Sequence, residues 1–171
     1  MRVLFWYCDR FAWNPTMQTL EDAPEPKAEQ HEKVVVAFIH VEPGDMEAGN
    51  SSETKLVKNI KWLARKWEIR QVILHSFSHL SEEKAEPSLA KALLDRAQTR
   101  LQNADYETFQ TPYGYFNDLE LKAPGQPLAR IYAVEDRIPR VYPWMNEPGG
   151  GIMPPWNTSR QRTVSTIFNT T

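Results

Sequence analysis

The sequence predicts an α/β fold in which one mixed β-sheet is backed by two helices. The first observation is Val34–Val41, a nearly continuous run of β-branched and aliphatic residues. A run that is apolar on both faces indicates a strand in the middle of a covered sheet. The second observation is that two later stretches carry apolar residues at helical spacing. The third is a series of short apolar runs after the second helical stretch, which predicts an antiparallel continuation of the sheet.

Two further strands are predicted around the central one. Val3–Tyr7 is a compact aliphatic and aromatic run near the N-terminus, and Val72–Leu74 is a short apolar run after the first helical stretch. Both are typical of buried strands. The segment Asn14–Gln30 is rich in Pro, Glu and Ala without a clear period, so we expect it to be an exposed loop.

The two helices have recognisable starts and apolar stripes. Ser51 or Ser52 can cap the first helix. Its predicted stripe consists of Leu56, Val57, Ile60, Leu63, Ala64 and Trp67. The second helix is expected to open at Glu86-Pro87-Ser88, since proline is favoured in a first helical turn. Its predicted stripe consists of Leu89, Ala92, Leu93, Ala97 and Leu101.

The C-terminal part divides into three short strands and a tail. Tyr106–Phe109, Tyr115–Leu121 and Leu128–Val134 are predicted strands, and a turn rich in Pro and Gly lies between the last two. Beyond residue 138 the periodicity disappears and Pro, Gly, Asn, Thr and Trp dominate. We therefore predict one domain over 1–138 and a partly ordered tail over 139–171.

Composition restricts the class of protein. The chain has 171 residues, which fits one domain, and a net charge of -2. That charge argues against a protein wrapped by nucleic acid, but not against one that touches only the end of an RNA. No window approaches the ~20 apolar residues of a membrane span, and the first residues do not form a signal sequence. We therefore expect a cytoplasmic protein.

His79 is the most informative candidate for chemistry. It follows a predicted buried strand and lies beside Ser76 and Ser78, at a position where loops of α/β folds carry active groups. A histidine there can act as a general base or position a water. The alternative is a histidine that only bonds its own loop.

A second constellation surrounds Gly114, which permits an unusual backbone angle. Tyr115 and Phe116 follow it and can form the wall of a pocket, and Asn117 offers a donor and an acceptor to a polar ligand. The alternative is an aromatic-rich strand beside a tight turn.

Other chemistries find less support. Cys8 is the single cysteine and lies at the end of an apolar strand, where a buried structural thiol is the usual interpretation. His75 and His79 are four positions apart, a spacing that aligns metal ligands only on a helix. We therefore expect neither a triad nor a metal site. The basic side of the first helix either contacts a phosphate backbone or is simply solvated.

Five blocks together resemble the editing domain of archaeal-type threonyl-tRNA synthetases. They occur in the family's order over about residues 1–135, and they are MRVLFWYCD, VVVAFIHVEPGD, SFSHLSEE with EPSLA, TPYGYFNDLEL, and PGQPLA. The resemblance implies a D-aminoacyl-tRNA deacylase-like fold and a homodimer. It also implies hydrolysis of the ester between a wrong amino acid, chiefly L-serine, and tRNA for threonine. No cofactor is implied, and a chain of this length is too short to include a synthetase core.

The resemblance also assigns roles to individual residues. His79 matches the family's motif histidine, while Val41, Ser76 and Ser78 fall at positions whose backbone lines the amino-acid pocket. Two residues depart from the pattern. Asn117 stands where the family typically has a lysine, its best catalytic candidate. Arg130 stands where a glutamate usually helps to recognise the substrate amine.

Two hypotheses follow from this mixture of matches and departures. In the first, a freestanding deacylase with His79 and Asn117 as catalytic residues acts in trans on the acceptor end of a tRNA charged by a separate synthetase. Its substrate-binding residues would be Val41, Ser76, Ser78, Tyr115, Phe116 and Arg130. In the second, a non-catalytic relative binds RNA, a protein partner or a small molecule.

Overall fold

The computed structural model describes residues 1–134. Within them the chain forms six strands and two α-helices, with short 3-10 turns at Pro43–Met46 and Pro127–Ala129. The strands are β1 (Arg2–Gln18), β2 (Glu29–His40), β3 (Gln71–Ser76), β4 (Glu107–Gln110), β5 (Tyr115–Lys122) and β6 (Arg130–Val134). The helices are α1 (Ser52–Lys66) and α2 (Pro87–Gln102). The predicted tail over 139–171 and the predicted boundary at 138 lie outside the described residues.

All six strands belong to one mixed sheet. Its order is β4-β3-β2-β1-β5, and β6 pairs with the first part of β1. Strands β2, β3 and β4 are parallel to one another, whereas β1 is antiparallel to β2, β5 and β6. The helices α1 and α2 provide the crossovers that parallel strands require. The mixed sheet backed by two helices, as predicted from the sequence, is confirmed.

The central strand β2 is covered on both faces. Val35, Ala37 and Ile39 belong to the core that packs against α1 and α2. Val34, Val36 and Phe38 belong to a second cluster, which also contains Cys8 and Phe11. Because alternate residues of a strand point to opposite faces, both clusters draw on the same apolar run. The prediction of a central strand from Val34–Val41 is therefore confirmed.

The predicted loop over Asn14–Gln30 is wrong at both ends. Strand β1 continues to Gln18, and β2 already begins at Glu29. The end of β1 pairs with β5, with a bulge between Pro15 and Met17. A proline cannot donate a ladder hydrogen bond, so bulges and edges are where strands tolerate it. These polar, largely exposed residues carry no apolar pattern, and only their distant partner strand makes them a strand.

The predicted start of α2 is confirmed, since the helix begins at Pro87 with Glu86 at its N-cap position, whereas the capping of α1 and the stripe of α2 need correction. Ser51 occupies the N-cap position of α1 without a side-chain capping bond. The Asn50 Oδ1 instead accepts from the Ser52 N–H at 2.6 Å, and the Ser52 hydroxyl donates to Asp45 at 2.6 Å. In α2, Leu89 is exposed and not part of the stripe. The buried residues of α2 are Ala90, Leu93, Leu94, Ala97 and Leu101.

Candidate functional site

A cleft of about 440 Å³ opens at the carboxyl ends of β2 and β3. Its walls come from the loop after β3, the start of α2, the turn between β4 and β5, and the end of β1. Open α/β sheets commonly bind ligands outside the carboxyl ends of their parallel strands. The volume falls in the range of small-molecule sites, which is ~300–1,000 Å³.

The cleft brings together most of the residues that the sequence singled out. Seven of them line it, namely Val41, Ser76, Ser78, His79, Tyr115, Phe116 and Asn117. Arg130 does not line it, because β6 places its guanidinium over the ring of Trp6 at 5.1 Å from the centroid. The positive charge at position 130 is therefore held by an aromatic face, not by the cleft.

His79 is exposed on a loop that β2 holds in place. The N–H of Leu80 donates to Nδ1 of His40 at 3.3 Å, and the Nε2 of His40 donates to the carbonyl of Glu83 at 2.8 Å. These two bonds require the neutral His40 tautomer with its proton on Nε2. The Arg2 guanidinium also donates to the Leu80 carbonyl at 3.1 Å. These bonds tie the loop to the sheet just after His79, whose ring meets Phe77 edge-on at 5.2 Å.

Asn117 presents a buried acceptor. Its Nδ2 donates to the Tyr115 carbonyl at 3.1 Å, while its Oδ1 is buried and has no hydrogen-bond partner among the described residues. A buried acceptor without a donor costs about 1–3 kcal/mol. Asn117 lines the cleft, and a rotation of its side chain that brings this closed-off oxygen to a ligand N–H or O–H would remove that cost.

His75 is a cleft residue for which the sequence predicted no role. Its side chain is buried, and Nδ1 lies 2.9 Å from the Thr111 hydroxyl. Burial lowers the pKa of the His75 imidazole to about 4. His75 therefore stays neutral near pH 7 and cannot supply a positive charge to a ligand.

We expect His75 to make the stability of the protein depend on pH. Its pKa is about 4 in the folded state against 6.5 for an ordinary histidine, so the unfolded chain binds more protons between these values. The free energy of unfolding should fall by about 2 kcal/mol between pH 7 and pH 5 from this residue. Denaturant titrations at both pH values measure it. His75→Gln should show a smaller fall, and an equal fall in both proteins would contradict the assignment.

The turn before Asn117 requires glycine at position 114. Gly114 has a φ of +86°, and a Cβ there would lie 2.9 Å from the Cβ of Ala23. Its carbonyl accepts from the N–H of Thr19 at 2.7 Å, and the Tyr115 hydroxyl donates to the Pro24 carbonyl at 3.0 Å. These contacts fix the turn against the end of β1, which confirms the backbone role predicted for Gly114.

Four more polar side chains line the cleft, namely Thr19, Lys84, Thr111 and Tyr113, and of these only Tyr113 belongs to the constellation around Gly114 that the sequence indicated. Tyr113 donates to the Pro87 carbonyl at 2.8 Å, Thr111 bonds His75, and Lys84 is exposed at the rim. Lys84 is the single Lys or Arg among the described residues that line the cleft. No local pattern identifies Thr19 or Lys84, because they lie on loops far apart in the chain that meet only in the fold.

Cys8 is removed from this chemistry. It is fully buried within the second core cluster, and burial raises the pKa of its thiol to about 12. Tyr7 stacks on Trp67 with ring centroids 3.7 Å apart. Within residues 1–134, no three His, Cys, Asp or Glu side chains are grouped as they would be around a metal ion. No helix in the same range is both long and apolar enough to span a membrane.

The sheet, its two helices and the cleft at the strand ends define a domain of the D-aminoacyl-tRNA deacylase-like fold class. A solved structure of the c-Myc DNA unwinding element binding protein shares this fold, with a TM-score of 0.56 and 7% sequence identity. The match covers 78% of this chain and 98% of that one. The predicted fold class is confirmed.

The family follows from sequence comparison. The family model of the archaea-specific editing domain of threonyl-tRNA synthetase matches residues 1–134. The threonine–tRNA ligase of Nitrosopumilus maritimus is 30% identical over 132 residues, which are 75% of this chain and 20% of the ligase. That of Pyrococcus horikoshii is 30% identical over 136 residues, 77% of this chain and 22% of the ligase. The chain therefore belongs to the family of archaea-specific threonyl-tRNA synthetase editing domains.

Membership in this family confirms the predicted resemblance and supports a role in tRNA editing. The chain spans about a fifth of the length of these curated relatives.

Proposed function

We propose that the chain is an editing deacylase that hydrolyses the ester of a mischarged tRNA, such as seryl-tRNA for threonine, and that it acts in trans. The observation that carries the proposal is the cleft itself. It combines an exposed imidazole, His79, with a buried acceptor, Asn117 Oδ1, that has no donor within residues 1–134.

These groups suit hydrolysis by a positioned water. Asn117 Oδ1 can accept a hydrogen bond from the substrate ammonium or from the water. His79 can take the proton that the water loses when its oxygen attacks the ester carbonyl, and the protonated His79 then gives that proton to the ribose oxygen as the ester bond breaks. Lys84 is suited to stabilising the negative charge that develops on the carbonyl oxygen or to holding a nearby phosphate. Cys8, buried in the second core cluster, has no part in this scheme, so attack by water is the simplest route.

The proposed substrate answers a problem of selectivity. Serine and threonine differ by one methyl group, which is worth only ~1–3 kcal/mol of discrimination in a binding pocket. A second site that hydrolyses the smaller product corrects the resulting errors. The cleft is bounded by Val41, Ser76 and Ser78, and we propose that their backbone and small side chains surround the amino acid.

The position of Arg130 supports ammonium binding. At the family's glutamate position, an arginine directed into the cleft would repel the substrate amine. Because Arg130 lies over Trp6, this repulsion is reduced, and Asn117 is left as the acceptor. Arg130 is therefore proposed as a residue of the sheet surface, not as a direct substrate contact.

The proposal includes the setting in which the chain works. We propose a cytoplasmic homodimer without a cofactor. It would act on the acceptor end of a tRNA, with threonine tRNA as the first candidate, after charging by a separate threonyl-tRNA synthetase.

A deacylation assay tests the proposal. Seryl-tRNA for threonine is incubated with the chain beside threonyl-, alanyl- and glycyl-tRNA, and the ester that remains is followed over time. Faster loss of the seryl ester than in buffer is the expected result. No acceleration for any of these esters would overturn the proposal.

One observation favours a second candidate, a non-catalytic module that binds RNA or a partner. Asn117 replaces the family's lysine and cannot supply its charge. For such a module, uncharged and seryl-charged tRNA would bind with equal affinity and the ester would survive. A deacylase instead consumes the ester.

Asn117→Ala should reduce kcat/KM for the seryl ester by about 10- to 100-fold. The reason is that a hydrogen bond to a charged group is worth about 1.5–3 kcal/mol. Asn117→Asp keeps an acceptor and should retain more activity than the alanine variant. Steady-state hydrolysis at matched thermal stability makes the comparison. Equal activity of wild type and Asn117→Ala would remove Asn117 from the site.

A further inference from the structure

The two helices carry half of the basic side chains of residues 1–134 but only two of the acidic ones. Together α1 and α2 contain eight basic and two acidic side chains, a formal charge of +6, whereas the rest of residues 1–134 has a formal charge of -9. Both helices lie in the same layer, on one face of the sheet. The net charge of -2 for the whole chain therefore conceals a strongly positive layer.

The acidic side chains of this layer are already paired. Glu53, the one acid of α1, accepts from Arg96 at 2.7 Å and from Arg100 at 2.8 Å. Asp95 of α2 pairs with Lys91. Two arginines on one carboxylate leave an excess of positive charge at the junction of the helices. Hydrogen bonds to both arginines lower the pKa of Glu53 despite its partial burial, which alone would raise it.

All charged side chains of α1 after Glu53 are basic. They are Lys55, Lys58, Lys61, Arg65 and Lys66. Lys58 and Arg65 are exposed, two turns of helix apart, and Trp62 lies half-buried between them in sequence. The other side of α1 is occupied by the core, so the exposed Lys58, Arg65 and Lys66 face away from the sheet.

Both helices begin at the edge of the sheet that holds the cleft. Pro87 and Ala90 of α2 line the cleft, and α1 follows the end of β2, which also contributes to it. From there α1 extends over 15 residues, or ~22 Å at the rise of an α-helix. If the end of a nucleic-acid strand were bound in the cleft, the several nucleotides next to it would lie beside a basic surface.

We infer that the outer surface of α1 and α2 docks the phosphate backbone of a base-paired RNA stem whose 3′ end enters the cleft. Basic side chains bind such backbones by neutralising phosphates and releasing counterions, without reading the sequence. An A-form stem is recognised mainly through its shape and backbone. Only the placement of the 3′ end in the cleft rests on the proposed function; the docking of the stem on the helices does not.

The test compares two RNA probes by fluorescence anisotropy. One is a short hairpin with a single-stranded ACCA 3′ end, and the other is the ACCA tetranucleotide alone. The variant is Lys58→Glu with Arg65→Glu, and its matched control is Lys27→Glu with Lys122→Glu. The control reverses two exposed charges outside the helices.

The helix variant should weaken hairpin binding by about tenfold or more and should lower the salt dependence of log Kd by about one to two units. Binding of the tetranucleotide should stay within about twofold, since no stem is present. The control should bind both probes like wild type. If Lys58→Glu with Arg65→Glu is poorly folded, Lys58→Ala with Arg65→Ala should give a smaller loss in the same direction.

The outcome separates this inference from the proposed function. Hairpin binding that is unchanged in the helix variants, or equally weakened in the control, overturns the inference even when seryl-tRNA is hydrolysed. A selective loss in the helix variants supports it even when no ester is hydrolysed.

Discussion

Replacing His79 by alanine should slow hydrolysis of seryl-tRNA by about 100-fold or more, the range typical of a lost general base. The ring is exposed at the cleft and contacts Phe77, so its removal should leave the fold intact. The effect should appear in kcat more than in KM, because a proton acceptor acts on the reacting water. Single-turnover hydrolysis with excess protein measures it.

Two variants sharpen this result. His79→Gln keeps hydrogen-bonding groups but cannot accept the proton, so it should be as slow as His79→Ala if His79 is a base. If His79 only positions the water, the glutamine variant should recover much of the activity. Lys122→Ala, an exposed change at the far end of β5, serves as the control and should match wild type. Full activity of His79→Ala would exclude both the role of His79 as a base and its role in positioning the water.

Replacing Asp45 by alanine should destabilise the protein by about 3 kcal/mol, since it leaves buried partners without their carboxylate. The Asp45 side chain is fully buried. It accepts from the Met1 amine at 2.8 Å, from the Glu42 N–H at 2.7 Å and from the Ser52 hydroxyl at 2.6 Å. This carboxylate therefore joins the start of β1, the turn after β2 and the start of α1.

Denaturant unfolding of Asp45→Ala and Ser52→Ala measures the effect. Ser52→Ala removes only one of the three bonds and should cost about 1 kcal/mol. A loss for Asp45→Ala no larger than that for Ser52→Ala would contradict the proposed junction. Since Val41 precedes this turn and lines the cleft, the alanine variant should also weaken substrate binding.

The same junction should be sensitive to pH at both extremes. Burial disfavours the charged Met1 amine, but its bonds to Asp45 and Glu42 outweigh that effect and raise its pKa above 8.0. Burial likewise raises the pKa of Glu42, but the amine and its other partners outweigh it and lower that pKa below 4.5. The stabilisation from the contacts of the Met1 amine and Glu42 is therefore present between about pH 4.5 and pH 8.0. It is lost as the pH rises through the folded-state pKa of the amine or falls through that of Glu42.

Local signals were sufficient for the central elements. The run Val34–Val41 predicted a doubly covered strand, and the spacing of Leu56, Ile60 and Leu63 predicted a buried helix face. Both proved correct because burial on a regular element leaves a period in the sequence. The stripe of α2 was predicted less well, since Leu89 has the right chemistry but lies one position before the buried Ala90.

Long-range pairing left no such signal. The end of β1 is polar and contains Pro15, and it forms a strand only because β5 lies beside it. The same holds for the site. A motif placed His79 and Asn117 on the wall of one cleft. In contrast, Thr19 and Lys84 line it from two other loops, His75 lines it from the end of β3, and β6 places Arg130 over Trp6 instead.

The sequence by itself determined the fold class, the family and the loop that carries His79, because periodicity and motif order are properties of the chain. Only the tertiary structure decided which polar groups share the cleft and which acceptor there lacks a donor. It also decided that the basic residues of α1 and α2 form one layer beside it. Those properties depend on contacts between residues far apart in the chain, and such contacts exist only after the sheet has assembled around β2.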